Sequence, residues 1–166
     1  MTEQTIQKMI ALLKEHGWKI AAAESCTGGL LSAAITSAPG ASEVFEGSII
    51  SYANRIKQAL LGVDGQILDT CGAVSAPCAK AMASGVREKM GADIGVSVTG
   101  IAGPGGGTPQ KPVGTVFIGV STNEDQGQAS AKEFHFTGSR AEIRQASVEQ
   151  ALAQALAAIE AMAAAL

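Results

Sequence analysis

Short apolar runs alternate with segments of helical periodicity through the first hundred residues, and two neighbouring apolar runs follow late in the chain. Together with a length of 166 residues, these features predict one α/β domain. The expected architecture is a single three-layer α/β/α domain covering residues 1–166, with a mixed, mostly parallel sheet. Residues 6–13 open it: Ile6, Met9, Ile10 and Leu13 recur at the spacing of an amphipathic helix, and Gly17 stops that helix before a strand over 19–23. The stretch Ala23-Glu24-Ser25-Cys26-Thr27-Gly28-Gly29 is then a strand-to-helix turn. Leu30, Leu31, Ala34 and Ile35 make the apolar face of the helix it opens, which ends near Pro39-Gly40.

Residues 47–52 have strand composition, and 54–61 read as a short helix closed by Gly62, with Lys57 upon it. Ser75 caps the next helix. Pro77 falls in its first turn, where a missing N–H costs nothing, Ala79, Met82 and Val86 form its buried face, and Gly91 ends it. A strand over 93–99 runs into a glycine-rich loop, residues 100–107. Strands over 113–120 and 131–136 follow, and Ser139-Arg140-Ala141-Glu142 is a capping box opening the last helix. Val148, Leu152, Ala155, Leu156 and Ile159 make that helix's apolar stripe.

A net charge of −3 gives no broad basic field, so nothing global favours nucleic acid as a partner. No apolar stretch is long enough to span a bilayer, and the alanine-rich end is interrupted by Glu149, Gln150, Gln154 and Glu160. Cys26, Cys71 and Cys78 are odd in number and lack metal-ligand spacing, and no signal peptide is visible. The expectation is a soluble protein in the reducing cytoplasm.

Where could chemistry reside? Ser25 stands at a strand-to-helix junction, beside backbone N–H groups and a positive helix end that can hold an oxyanion. Read alone, the stretch favours Ser25 or Thr27 as a helix cap over a catalyst. A histidine base is poorly provided: His16 ends a surface helix, and His135 lies between phenylalanines with no orienting acid. Lysine remains, provided burial lowers its pKa, and Lys57 is the candidate because it stands alone on a weakly charged helix after Tyr52 and Asn54, against its commoner reading as a solvated surface lysine. Cys26 competes as a nucleophile, since a helix N-terminus acidifies a thiol, against its reading as a small buried apolar residue. The 99–108 loop fails both nucleotide fingerprints. Gln110 and Pro112 break the P-loop pattern, and Thr108 stands where a dinucleotide fold needs glycine.

The ordered series 23–29, Ser51-Tyr52-Ala53-Asn54 with Lys57, Thr99-Gly100-Ile101-Ala102-Gly103-Pro104, residues 111–116 and Phe136-Thr137-Gly138-Ser139-Arg140 resembles the CinA C-terminal domain family over nearly the whole chain. That family includes nicotinamide-nucleotide amidases, which convert nicotinamide mononucleotide to nicotinate mononucleotide and ammonia in pyridine nucleotide salvage. The resemblance implies a Ser/Lys amidohydrolase with Ser25 as nucleophile and Lys57 as base, Tyr52 orienting Lys57 or facing the pyridinium, and amides of Cys26, Thr27 and Gly28 around the oxyanion. It places Asn54, Thr99 and Gly100 at the same cleft and Arg140 at the substrate phosphate. It implies no metal or organic cofactor, a small-molecule nucleotide partner and a homodimer. The alternative from the same family is a non-catalytic nucleotide-binding regulatory module linked to competence or DNA damage. One departure is Gly47-Ser48, where many members carry two glycines, a change expected to bear on the pocket floor.

Overall fold

The computed structural model describes residues 2–166. Its elements are α1 (Thr2–His16), β1 (Ile20–Glu24), α2 (Leu30–Thr36), a 3-10 turn (Ala41–Glu43), β2 (Phe45–Ile50), α3 (Asn54–Leu61), α4 (Gly65–Thr70), α5 (Ala76–Met90), β3 (Ile94–Gly100), β4 (Thr115–Thr122), β5 (Ser130–His135) and α6 (Arg140–Ala164). The strands form one sheet in the order β2-β1-β3-β4-β5. Both pairings of β1 are parallel, whereas β4 pairs antiparallel with β3 and with β5. The sheet is mixed as expected, its pairings split evenly, and β4 alone is reversed against four strands that run one way.

The pleat divides the core. Ile20 and Ala22 of β1, with Ile94, Val96 and Val98 of β3, pack beneath α1, α2 and α6. Ala21 and Ala23 face the other way, toward Leu61, Met82 and Val86 of α3 and α5. Three layers result.

Two elements escaped the sequence reading. Helix α4 has no long apolar stripe and is held by a local cap, in which Asp64 accepts from the Gln66 amide at 2.9 Å. The 3-10 turn is three residues long. Strand β4 also begins two residues later than expected, because Gly114 adopts φ +96° and closes the preceding loop before ladder pairing starts.

Helix α5 lies unusually close to its neighbours, and missing side chains make this possible. A Cβ on Gly95 or Gly119 would sit 2.2 Å and 2.4 Å from the carbonyl oxygens of Ala83 and Ala79. Between them, Ser97 donates to the Ala79 carbonyl at 2.6 Å. On the opposite side of α5, a Cβ on Gly85 would meet the Leu61 carbonyl at 2.0 Å. Helix α3, and with it Lys57, is therefore seated against backbone. Among the described residues no helix is long and apolar enough to cross a membrane.

Inside an ordinary helix, glycine to alanine stabilises by up to about 1 kcal/mol. Here the sign is expected to reverse: Gly85→Ala drives a methyl into the Leu61 carbonyl and should cost roughly 1–3 kcal/mol through overpacking. Denaturant unfolding measures it, and a stabilised Gly85→Ala protein would refute the close seat of α3.

Candidate active site

Neighbouring residues at the end of β1 serve opposite faces of the sheet. Glu24 follows Ile20 and Ala22 toward α2, while Ser25, one residue on, turns to the side of Ala21, Ala23 and α3. Glu24 is fully buried. Its Oε1 accepts from the Thr27 hydroxyl at 2.7 Å and from the amides of Gly29 and Leu31 at 3.1 and 2.9 Å. Its Oε2 accepts from the Ser32 amide at 3.0 Å and from the Ser32 hydroxyl. The cap expected from Ser25 or Thr27 is thus supplied by Glu24: the N-cap residue is Gly29, without a side-chain cap, and the chain turns through 25–28 before the helix starts. Thr27 contributes by donating to that carboxylate. Ser48 joins the same network through Ser32 at 2.7 Å, so the Gly47-Ser48 departure supports the brace behind β1.

Ser25 is left for other work, and its backbone is fixed. Its amide donates to the Val98 carbonyl at 3.0 Å, and the Ser51 amide donates to the Glu24 carbonyl at 2.8 Å. These bonds extend parallel pairing past the carboxyl ends of β1 and β2, at the edge where open α/β sheets place ligands. Lys57 reaches this edge from α3 and is 1% exposed. Its Nζ lies 3.1 Å from Ser25 Oγ and donates to the main-chain carbonyls of Ser51 at 2.7 Å and Tyr52 at 3.2 Å. No carboxylate pairs with it among the described residues.

Burial holds the Lys57 pKa below the ordinary lysine value of 10.5. Negative charge on Cys78 or Cys26 would oppose that shift. Burial, however, pushes the Cys26 thiol up to about 11 and raises Cys78 as well, so near neutral pH neither carries the charge. Geometry adds a second point. A neutral amine has two N–H bonds and one lone pair; carbonyls can only accept, so two of them occupy both N–H bonds and turn the lone pair to the Ser25 hydroxyl. The same raised pKa leaves Cys26 a poor nucleophile.

A cavity of about 290 Å³ opens over this pair. Ser25, Cys26, Tyr52, Asn54, Lys57, Thr99, Gly100 and Arg140 all line it, and no lining residue is acidic. Thr27 and Gly28 do not line it. The Gly28 amide is committed to the Ser25 carbonyl at 3.1 Å, whereas those of Cys26 and Thr27 have no backbone or side-chain oxygen acceptor among the described residues. Tyr52 meets Lys57 through its main chain; its phenol accepts from Arg140 Nη2 at 3.1 Å. Arg140 also donates to the Gly103 carbonyl at 2.7 Å, tying the glycine-rich loop to the rim. Thr99 donates to the Ala73 carbonyl at 2.8 Å, which brings in the loop after α4, a wall absent from the sequence reading. A larger hollow of about 650 Å³ between α5 and β5 holds Lys80 and Ser84, but Lys80 is exposed and the Ser84 hydroxyl donates to Ser121 at 3.4 Å. The histidines lie elsewhere, His16 stacked on Trp18 and His135 paired with Glu133.

The family model of the CinA C-terminal domain matches residues 2–159. A CinA-like protein of Synechocystis is 49% identical over 151 residues, and one of Geobacter metallireducens 51% over 142. These cover 90% and 85% of this chain but 36% and 34% of the relatives, so the chain spans about a third of the length of the curated proteins it matches. Among solved structures, the competence/damage inducible protein CihA from Agrobacterium tumefaciens superposes with TM-score 0.90 at 38% identity, covering 96% of this chain and 95% of that one. A CinA superfamily protein from Escherichia coli superposes with TM-score 0.88 at 31% identity, covering 94% and 89%.

Glu24 receives donors on both oxygens, so an amide at that position must turn N–H groups toward N–H groups. Glu24→Gln is expected to cost roughly 2 kcal/mol or more. Denaturant unfolding is the check, and an unchanged midpoint would remove Glu24 as the brace of the turn.

Proposed function

The chain belongs to the CinA C-terminal domain family, and from that premise we propose that it is an amidase releasing ammonia from nicotinamide mononucleotide by a Ser25/Lys57 dyad. The observation that carries the reading is the buried, unpaired amine whose two carbonyl partners leave its lone pair for a hydroxyl 3.1 Å away. The choice of substrate rests on the family resemblance, and the cavity is compatible with it. Its lining has no acidic group to repel a phosphate, it carries Arg140 at the rim, and its size suits a small molecule.

The reaction follows from these positions. Neutral Lys57 takes the Ser25 proton as Oγ attacks the carboxamide carbon, and the carbonyls of Ser51 and Tyr52 stabilise the ammonium that forms. The amide of Cys26, which lines the cavity and bonds no oxygen among the described residues, is the donor for the oxyanion. Lys57 then returns the proton to the departing nitrogen, which leaves as ammonia. Water, deprotonated by the again neutral Lys57, cleaves the ester to nicotinate mononucleotide and restores Ser25. The net change is one amide and one water converted to one carboxylate and one ammonium.

The relatives' competence and damage names favour a second reading, a nucleotide-binding regulatory module. One assay separates the two: ammonia and nicotinate mononucleotide formed by the purified protein beside Ser25→Ala and Lys57→Ala proteins of intact fold. The amidase reading expects turnover by the parent, a loss of about a thousandfold or more in both variants, and turnover retained by Cys26→Ser. Binding without turnover by the parent would leave the regulatory reading. Because only the neutral amine is a base, kcat/KM is expected to rise with pH and level off at an apparent pKa below 10.5. A limb lying at 10.5 or above would remove Lys57 from that role.

A further inference from the structure

The turn after Ser25 is held from behind by a residue outside the cavity lining. Arg144, one helical turn beyond Arg140 on α6, presents Nε to the Cys26 carbonyl and Nη2 to the Thr27 carbonyl, both at 3.0 Å. A guanidinium gripping two successive carbonyls fixes two successive peptide planes. In a trans peptide the N–H points opposite to the C=O. Holding the Cys26 carbonyl therefore aims the Thr27 amide, and holding the Thr27 carbonyl aims the Gly28 amide. The Gly28 amide in turn donates to the Ser25 carbonyl at 3.1 Å, and that bond aims the Cys26 amide. The Cys26 and Thr27 amides, neither of which bonds an oxygen among the described residues, both owe their direction to one side chain.

We propose that Arg144 is a positioning residue that fixes the turn after Ser25 and so presets the Cys26 amide as the oxyanion donor beside it. The chemical part of this inference rests on the amidase reading; the structural part does not. The local backbone fits the role. Gly28 has φ +56°, a conformation costly for other residues, and a Cβ there would lie 3.6 Å from Arg144 Nη2, so the turn passes directly against the guanidinium. Arg144 touches no cavity-lining side chain in these bonds, and its removal should spare substrate binding. Preorganised donors act on charge that develops in the transition state, so the loss belongs in kcat.

The experiment compares the parent with Arg144→Met and Arg144→Lys in two ways: amide hydrogen exchange resolved at Gly28, and kcat and KM for nicotinamide mononucleotide. In Arg144→Met the Gly28 amide should exchange about tenfold faster or more while core amides stay protected, and kcat should fall about a hundredfold with KM little changed. Arg144→Lys, a cation lacking the two-pronged fork, should lie between. Unaltered Gly28 exchange, unaltered kcat, or a loss confined to KM would overturn the proposal. If Arg144→Met does not fold, the same three readings of Arg144→Lys decide. Should the parent hydrolyse no nicotinamide mononucleotide, the amidase reading falls by itself, and the positioning role stands or falls on Gly28 exchange alone.

Discussion

A lysine amine buried among neutral oxygens is the constraint around which this molecule is arranged. Lys57 is enclosed without a carboxylate, and the partners within reach are two carbonyls and a hydroxyl. A charge in that position is costly, and a counter-ion would relieve the cost but hold the amine protonated near neutral pH. The carbonyls meet both needs: they satisfy N–H bonds of the neutral amine and also solvate the ammonium once it forms. Such an environment must be rigid. It depends on α3 being seated against Gly85 of α5, and on Ser51 and Tyr52, just after β2, turning their carbonyls to the helix that follows.

The second constraint is the pleat of β1. Two adjacent polar residues, both buried, would be hard to accommodate on one face, but alternation sends Glu24 to α2 and Ser25 toward Lys57. The carboxylate next to the hydroxyl is thus neither its base nor its partner. By capping α2 itself, Glu24 frees Ser25 from capping. The six residues from Glu24 to Gly29 divide the labour. Glu24, Thr27 and Gly29 belong to the brace, Gly28 closes the turn onto the Ser25 carbonyl, and Ser25 and Cys26 face the cavity.

Periodicity made most of the fold legible. The stripe of α1, the caps of α5 and α6 and the glycine stops are local signals, written in residues three or four apart. Helix α4 was invisible because its determinant is a single Asp64 cap on six residues. The seats of Gly85, Gly95 and Gly119 were illegible for another reason: a glycine's neighbour across a packed interface is set by tertiary contact, which no local window contains. At the site, Ser25 and Lys57 emerged from motif and elimination. A sequence offers Tyr52 as a side chain, whereas its contact to Lys57 is its carbonyl, and main-chain groups are silent in a sequence. Arg144 drew no attention, since a basic residue in the second turn of an exposed helix end looks solvated until the turn it holds is placed beside it.

Helix α6 gives the cavity its coherence. Arg140 and Arg144 project from one face of its first two turns, and between them they hold four separate points: the Gly103 carbonyl, the Tyr52 phenol and the carbonyls of Cys26 and Thr27. These belong to the glycine-rich loop, the residues after β2 and the turn after β1, three segments far apart in sequence. Arg140 spends two of its five N–H donors in this way, so its guanidinium is held in place and still has donors to offer. An anion engaging it in the proposed reaction would meet a cation already oriented, which lowers the ordering cost of binding. Four residues along the helix, a like guanidinium orients the amides behind the nucleophile. A displacement of α6 would loosen the recognition end and the reacting end together, and the reciprocal capping box of Ser139 and Glu142 anchors the start of the helix against such a shift.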